Sequence, residues 1–319
     1  MIEVEQLTRY YNDFPALRNI STRIESGEIV GFLGLNGAGK TTMLRVLAGL
    51  LPPSAGKVTI DGVDLEDAPN SFRHKIGFLP DEPPLYREMR VRDYLVWCGQ
   101  IKGCSVSQAR HNVQSVLRTC GIDDVADAVI DELSFGYRKR VGIAQAIIHR
   151  PRLVILDEPI AGLDPVQIVE MREVVRNLKQ ESTVLVSSHI LSEITQTCDR
   201  ILVLHRGELV ATGSEHDLAQ QAGGTTALEL SLRGSPAAAR RVLAELPFVT
   251  EVDIVTTDDC LHVTVSLLED ERERLVAALV TADIGVRRVE RARSELETVF
   301  LELTQAAATT DADPRRGAA

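Results

Sequence analysis

Residues 34–41, GLNGAGKT, fit the phosphate-loop pattern G-x-x-x-x-G-K-[ST] at every fixed position. It follows a predicted strand at Ile29–Leu33 and precedes a predicted apolar helix at Met43–Leu50, which is the context that the pattern requires. Small residues let the chain wrap closely around an anion, and the positive end of the helix faces the same point. Lys40 can bring a cation to the β- and γ-phosphates of a nucleotide, and the Thr41 hydroxyl can bind Mg²⁺. The sequence therefore predicts a P-loop α/β fold with a site for a nucleoside triphosphate.

Two acidic residues provide a matching signal further along the chain. Asp157 and Glu158 follow Leu153–Leu156, a continuous apolar run of the kind found in buried parallel strands. Ligands of open α/β sheets bind beyond the C-terminal ends of such strands. Asp157 is therefore a candidate for holding Mg²⁺, usually through water, and Glu158 is a candidate for orienting or deprotonating an attacking water.

The remaining patterns divide the chain into regions. Residues 1–220 mix strand and helix signals and form the predicted α/β domain, with antiparallel β segments and a helical insert at about 87–135. A linker is predicted at 221–226. Residues 227–305 have the order β-α-β-β-α-β, typical of a small α+β ferredoxin-like domain, and are expected to close with a helix at Ser294–Leu303. The polar tail at 306–319 is expected to be disordered.

Two glycine turns predict β-hairpins. Ser26-Gly27 separates the strand candidates Ile20–Glu25 and Glu28–Leu33, and Arg206-Gly207 lies between two further strand candidates. We therefore expect each pair of strands to run antiparallel.

Charge and composition exclude several classes of protein. The 319 residues include 35 Lys and Arg against 46 Asp and Glu, a formal net charge of −11, which opposes general nucleic-acid binding. Aromatic residues make up only 4%, too few for base-stacking platforms. No segment approaches the roughly 20 apolar residues that a membrane helix needs, and the first residues lack the apolar core of a signal peptide. The expectation is a cytoplasmic protein that binds no nucleic acid.

Three further segments, together with the two motifs above, resemble the ATP-binding subunits of ABC transporters. LSFGY at 133–137 stands where that family has its LSGGQ signature, AGLD at 161–164 is similar to its D-loop, and Ser187-Ser188-His189 is similar to its switch histidine. The resemblance covers about residues 1–215 and implies an ABC-type ATPase that uses ATP and Mg²⁺.

The resemblance implies a role for each matching residue within one subunit. Tyr11 would stack on adenine, with Tyr10 as the alternative. His189 would bind the γ-phosphate and position Glu158, and these two residues would be the catalytic ones. The residues that would cradle the phosphates are Asn36, Gly37, Ala38, Gly39, Lys40, Thr41 and Thr42. The residues that would surround Mg²⁺ are Thr41, Asp81 and Asp157.

Other matching residues would serve a second subunit. Ser134 and Gly136 would contact the γ-phosphate held by the partner, and Asp164 would cross the dimer interface. Because the chain has one phosphate loop and one signature, the resemblance implies that two copies, most simply a homodimer, close over ATP and open after hydrolysis.

The chain departs from the usual family pattern at several positions. Phe135 replaces a small residue, Tyr137 replaces Gln, and Asp81 stands where the family usually has Gln. Similar changes fit the branch that pairs with ABC-2-type export permeases, and the segments at 77–86 and 296–301 resemble that branch too.

The function implied is therefore an ATPase subunit on the inner face of the cell membrane. It would drive export through a separate ABC-2-type permease and touch the membrane only through that partner. Two alternatives stay open: a soluble ABC-type ATPase without a transport role, and a binding module that closes on ATP without hydrolysing it. The domain at 227–305 carries no catalytic pattern and is expected to regulate the ATPase or to stabilise its dimer.

Overall fold

A parallel sheet carries the fold of the first part of the chain, as seen in a computed structural model that describes residues 1–215, 217–218, 226–256, 260–268 and 270–291. The chain divides into two compact units, Met1–Ser214 and a second one that begins at Glu215. Several predictions lie outside the described residues: the linker at 221–226 except its last residue, the helix at Ser294–Leu303 with the 296–301 segment, and the tail at 306–319.

The central sheet of the first unit has six strands in the order β10-β9-β3-β8-β7-β6. Its strands are β3 Ile29–Leu33, β6 Ile76–Leu79, β7 Leu153–Leu156, β8 Thr183–Ser188, β9 Arg200–His205 and β10 Glu208–Gly213. All pairs are parallel except β9 with β10. Every residue of β3, β7 and β8 is buried, which explains the continuous apolar runs of the sequence. The phosphate loop, Asp157 and His189 therefore emerge from neighbouring strands at one edge of the sheet.

The second sheet of this unit is antiparallel and has the order β2-β1-β4-β5. Its strands are β1 Ile2–Tyr11, β2 Phe14–Ile24, β4 Ala55–Ile60 and β5 Val63–Asp64. The predicted hairpin across Ser26-Gly27 is wrong, because β2 pairs with β1 while β3 pairs with β8 and β9. The turn instead passes the chain from one sheet to the other. The hairpin across Arg206-Gly207 is confirmed, with His205 opposite Glu208.

Seven α-helices are described in the first unit. They are α1 Lys40–Leu47, α2 Pro69–His74, α3 Val91–Ile101, α4 Val106–Cys120, α5 Phe135–Ile147, α6 Pro165–Leu178 and α7 Leu191–Thr197. Helices α3 and α4, inserted between β6 and β7, pack on each other and on α5. Helix α4 begins with a capping box formed by Ser105 and Gln108 and ends at Gly121, which adopts the left-handed conformation.

The second unit pairs four antiparallel strands with two helices. In chain order these are β11 Thr226–Arg233, α8 Pro236–Ala244, β12 Val249–Thr256, β13 Leu261–Leu267, α9 Arg272–Thr281 and β14 Gly285–Arg291. The strand order is β12-β13-β11-β14. Alternate residues of β13 are buried, so one face of the sheet packs against a core that includes Leu243, Leu275 and Leu279. Across both units, none of the helices in the described ranges has the length and apolar character needed to cross a membrane.

Candidate nucleotide-binding site

The phosphate loop connects β3 to α1 through two glycines with positive φ. Gly37 has φ 81° and Gly39 has φ 107°, a region that favours glycine. A Cβ at Gly39 would also lie 2.7 Å from the carbonyl oxygen of Ala16, so the loop has no space for a side chain there. Helix α1 has no side-chain cap and no acidic residue in its first turn. Its first N–H groups and the positive end of its dipole are therefore suited to bind an anion.

A cavity of about 380 Å³ lies beside this loop. The predicted residues that line it are Tyr11, Asn36, Gly37, Gly39, Lys40, Thr41, Thr42, Asp81, Asp157 and Glu158. The predicted residues not among its lining are Ala38, Ser134, Gly136, Asp164 and His189. The site thus gathers residues from the loop, β1, β6 and β7, in agreement with the edge of the sheet at which they end.

Lys40 is buried in the loop that it follows. Its Nζ donates hydrogen bonds to the carbonyl oxygens of Gly34 at 2.6 Å and Leu35 at 3.3 Å, and lies 3.8 Å from Glu158 Oε1. Burial lowers the pKa of Lys40, and the carboxylates of Glu158 and Asp157 oppose that change. The charged form of Lys40 is thus stabilised by the two carbonyl oxygens of the loop and by the carboxylate of Glu158.

Ser187, a residue that the sequence did not single out for a role, holds both acidic residues. Its Oγ donates to Asp157 Oδ1 at 2.6 Å and accepts from the backbone N–H of Glu158 at 2.9 Å. Glu158 has φ 48°, in the left-handed region that costs a non-glycine residue about 1 kcal/mol or more. The hydrogen bond that the Glu158 N–H donates to Ser187 stabilises this turn and so fixes the direction in which the Glu158 side chain leaves the strand.

His189 contacts Glu158 directly, although it is not among the residues lining the cavity. Its Nδ1 lies 3.0 Å from Glu158 Oε2, while the other oxygen of Glu158 faces Lys40. The side chain of Glu158 is 16% exposed and that of His189 is 47% exposed. A carboxylate held between a buried lysine and an exposed histidine is well placed to orient a water and to accept its proton.

Lys139 is a second residue that the sequence did not single out. It lies on α5, is buried, and its Nζ donates to the carbonyl oxygen of Asp81 at 2.7 Å. The same Nζ is 3.2 Å from Asp81 Oδ1 and 3.2 Å from the carbonyl oxygen of Glu158. The sequence shows three consecutive basic residues here, Arg138, Lys139 and Arg140, but does not say which side chain reaches Asp81 and Glu158.

The residues predicted to serve a second subunit lie at the N-termini of α5 and α6. Ser134 caps α5 by accepting from the N–H of Tyr137, and Asp164 caps α6 by accepting from the N–H groups of Val166 and Gln167. Gly136 packs so tightly on Gln167 that a Cβ would come within 2.9 Å of its side chain. Ser134 and Asp164 are exposed, Gly136 is buried, and none of the three lines the cavity of its own chain.

Tyr11 and Tyr10 differ in position. Tyr11 lines the cavity and has the guanidinium of Arg9 5.3 Å from its ring centroid, whereas Tyr10 is not among the lining residues. Phe14, which the sequence did not single out, also lines the cavity and is 59% exposed. Two aromatic rings from the β1–β2 turn region therefore border the site.

The fold and the loop, helix and carboxylate geometry define a P-loop nucleotide-binding protein. Residues 17–161 match the family described as "ABC transporter". The chain is 32% identical over 312 residues to "Uncharacterized ABC transporter ATP-binding protein YxlF" of Bacillus subtilis, covering 96% of this chain and 100% of that one. It is 32% identical over 309 residues to "Nod factor export ATP-binding protein I" of Rhizobium meliloti, covering 95% and 88%.

A solved structure adds to this likeness. "Dimeric structure of a post-hydrolysis state of the ATP-binding cassette MJ0796 bound to ADP and Pi" is 25% identical, with a TM-score of 0.60, and the match covers 67% of this chain and 98% of that one. The chain belongs to the ATP-binding proteins of ABC transporters. It is an ATPase of the ABC type, as the sequence predicted.

Proposed function

We propose that this ATPase drives export through a separate ABC-2-type permease and that Glu158 is its hydrolytic carboxylate. The observation that carries the proposal is the placement of Glu158 between Lys40 at 3.8 Å and His189 at 3.0 Å, beside the phosphate loop. A relative over nearly the whole chain is named for Nod factor export, which supports the direction of transport.

In this proposal each residue has a definite task in hydrolysis. The N–H groups of the loop and α1 bind the phosphates, and Lys40 neutralises charge on the β- and γ-phosphates. Glu158 orients a water toward the γ-phosphate and takes its proton, and His189 holds Glu158 through Nδ1. Tyr11 offers its ring to the adenine, with Phe14 beside the same cavity.

Oxygen groups at the same cavity fit Mg²⁺. Thr41 at the start of α1 and the buried Asp157 are hard oxygen donors of the kind that Mg²⁺ prefers, and both line the cavity. One oxygen of Asp157 is held by Ser187, which orients the carboxylate. Asp81, which lines the same cavity, would be the third residue near the metal. When bound, Mg²⁺ neutralises charge on the β- and γ-phosphate oxygens.

A homodimer would complete the site. Ser134, Gly136 and Asp164 are not among the residues lining the cavity of their own chain, so their proposed contact with nucleotide requires a second copy. The structural relative in its ADP and phosphate state is dimeric, which supports this arrangement. ATP bound between two copies would favour the closed state, and cleavage of its γ-phosphate would favour opening.

The remaining parts of the chain fit this role. We propose an ATPase domain at 1–220, on the cytoplasmic face of the membrane, that contacts the membrane through the permease. We assign the domain at 227–305 to the ferredoxin-like type, because β-α-β-β-α-β with the strand order β12-β13-β11-β14 is the pattern of that fold.

The test replaces Glu158 by Gln in the full-length chain, which keeps the size of the side chain and removes its basicity. We expect the rate of ATP hydrolysis to fall about 100-fold or more, while ATP binding is retained and an ATP-dependent dimer accumulates in analytical ultracentrifugation. Equal, near-zero rates for variant and wild type would instead favour the binding module. Hydrolysis without co-purification of a permease from the native membrane would favour the soluble ATPase.

A further inference from the structure

Lys139 is a buried cation that has no role in binding the phosphates in the proposal above. Its side chain is 2% exposed, and the residue does not line the nucleotide cavity. Burying an ammonium group is unfavourable unless it is paired and hydrogen-bonded. Its three acceptors are the main-chain oxygen and the carboxylate of Asp81 and the main-chain oxygen of Glu158, all within 3.2 Å.

These contacts join three elements at one point. Asp81 follows β6, Glu158 follows β7, and Lys139 lies on α5, whose N-cap is Ser134. The ring of Phe135, on the first turn of α5, is centred 5.6 Å from Lys139 Nζ. Lys139 therefore joins α5 directly to the residues that follow β6 and β7.

Glu158 needs such support because of its backbone. Its φ of 48° is an unfavourable backbone conformation for a residue other than glycine. The side chain must nevertheless lie between Lys40 and His189. Ser187 holds the N–H of Glu158 and Lys139 holds its carbonyl oxygen. Both ends of the residue are thus anchored by buried side chains from other elements.

Lys139 also balances charge. Asp81, Asp157 and Glu158 all line the same cavity, so their carboxylates repel one another. The Lys139 ammonium lies 3.2 Å from Asp81 Oδ1 and compensates the charge that an acidic residue introduces there.

We infer that Lys139 is a positioning residue for hydrolysis, which couples the Ser134 end of α5 to the hydrolytic carboxylate of Glu158 in the same subunit. The inference rests on the proposed function. Because Lys139 does not line the cavity, its loss should slow hydrolysis and leave nucleotide affinity nearly unchanged.

The experiment compares Lys139→Met with Lys102→Met in the full-length chain. Lys102 is a matched control, because its Nζ also donates to α5, at the carbonyl oxygen and Oε1 of Gln145, but contacts neither Asp81 nor Glu158. Thermal unfolding, the Kd of a fluorescent ATP analogue, KM and kcat are measured for each.

We expect Lys139→Met to lower kcat about tenfold or more, with KM and Kd within about threefold of wild type. Lys102→Met should lower the melting temperature comparably and keep kcat within about twofold. Lys139→Gln, which retains a donor, should give an intermediate kcat, and it takes the place of Lys139→Met if that variant does not fold.

Two results separate the inference from the proposed function. If the folded Lys139 variants have the kcat of Lys102→Met, Lys139 is merely structural and the inference is wrong, while the site remains as assigned. If the wild type itself does not hydrolyse ATP, the proposed function fails first.

Discussion

At the scale of single residues, the site depends on how Asp157 and Glu158 are held. Both acids follow a buried strand, yet their orientation comes from a serine on the neighbouring strand β8. Ser187 is fully buried and satisfies one carboxylate oxygen and one backbone N–H at once. Unpaired buried groups of this kind cost about 1–3 kcal/mol each, so the serine contributes to stability as well as to geometry.

We predict that Ser187→Ala lowers both stability and activity, whereas Ser188→Ala lowers stability alone. Ser188 is also buried and also makes two hydrogen bonds, to Glu193 and from the N–H of Ile190, but contacts neither acid of the site. Both variants should lose about 1–3 kcal/mol in the free energy of unfolding, measured with denaturant. Only Ser187→Ala should also lower kcat for ATP hydrolysis, because it releases Asp157 and Glu158. Equal kcat values for the two variants would contradict this role.

At the scale of elements, the sequence predicted what is local and missed what is paired at a distance. The phosphate loop was predictable because its donors, glycines and helix lie within one continuous stretch. Lys139 and Asp81 are 58 positions apart, and Ser187 and Asp157 are 30 apart, so no local pattern could join them. The same limit explains the wrong hairpin, since a glycine turn does not say which strands pair.

Strand irregularity explains the ambiguity between Tyr10 and Tyr11. An ideal strand sends alternate residues to opposite faces, so counting along β1 would choose between them. The pairing of β1 with β2 shifts register between Leu7 and Arg9 and again between Arg9 and Tyr10. Such shifts change which residues face the site, and they cannot be counted from the sequence.

His149, two residues after the end of α5, contacts the first residue of β6. Its Nε2 lies 3.0 Å from the carbonyl oxygen of Ile76, and its Nδ1 is buried without a hydrogen-bond partner. Burial, together with the nearby cation Lys102, lowers the pKa of His149 to about 4. Protonation would therefore bury a charged N–H that has no acceptor.

Because the folded-state pKa of His149 lies below the ordinary value of about 6.5, the unfolded chain binds the proton first as the pH falls. The resulting loss of stability begins below about pH 6.5 and continues to about pH 4, and amounts to about 2 kcal/mol between pH 7 and 5. Denaturant unfolding of wild type and His149→Gln at both pH values measures it. The wild type should lose more stability than the variant, and parallel losses would refute the assignment.

Considered over a whole subunit, the proposed site needs a second copy of the chain. The cavity contains the phosphate loop, Asp157 and Glu158, whereas Ser134 and Asp164 lie on a different surface of the same chain. If nucleotide is bound by both surfaces, each hydrolytic site takes one surface from each copy. Two damaged chains could then complement each other, which a site formed within one chain could not do.

The test is therefore to mix the Lys40→Ala and Ser134→Asp variants and to measure the ATPase rate of the mixture. Aspartate keeps the N-cap of α5 and places a negative charge where a phosphate is proposed to bind, so the helix should persist while the contact is lost. Each variant alone should be nearly inactive. In a 1:1 mixture, half of the dimers contain both variants, and each of these has one site with an intact phosphate loop and an intact signature. If the sites act independently, the mixture should regain about a quarter of the wild-type ATPase rate. A mixture as inactive as its components would mean that the phosphate loop and Ser134 do not act across two subunits.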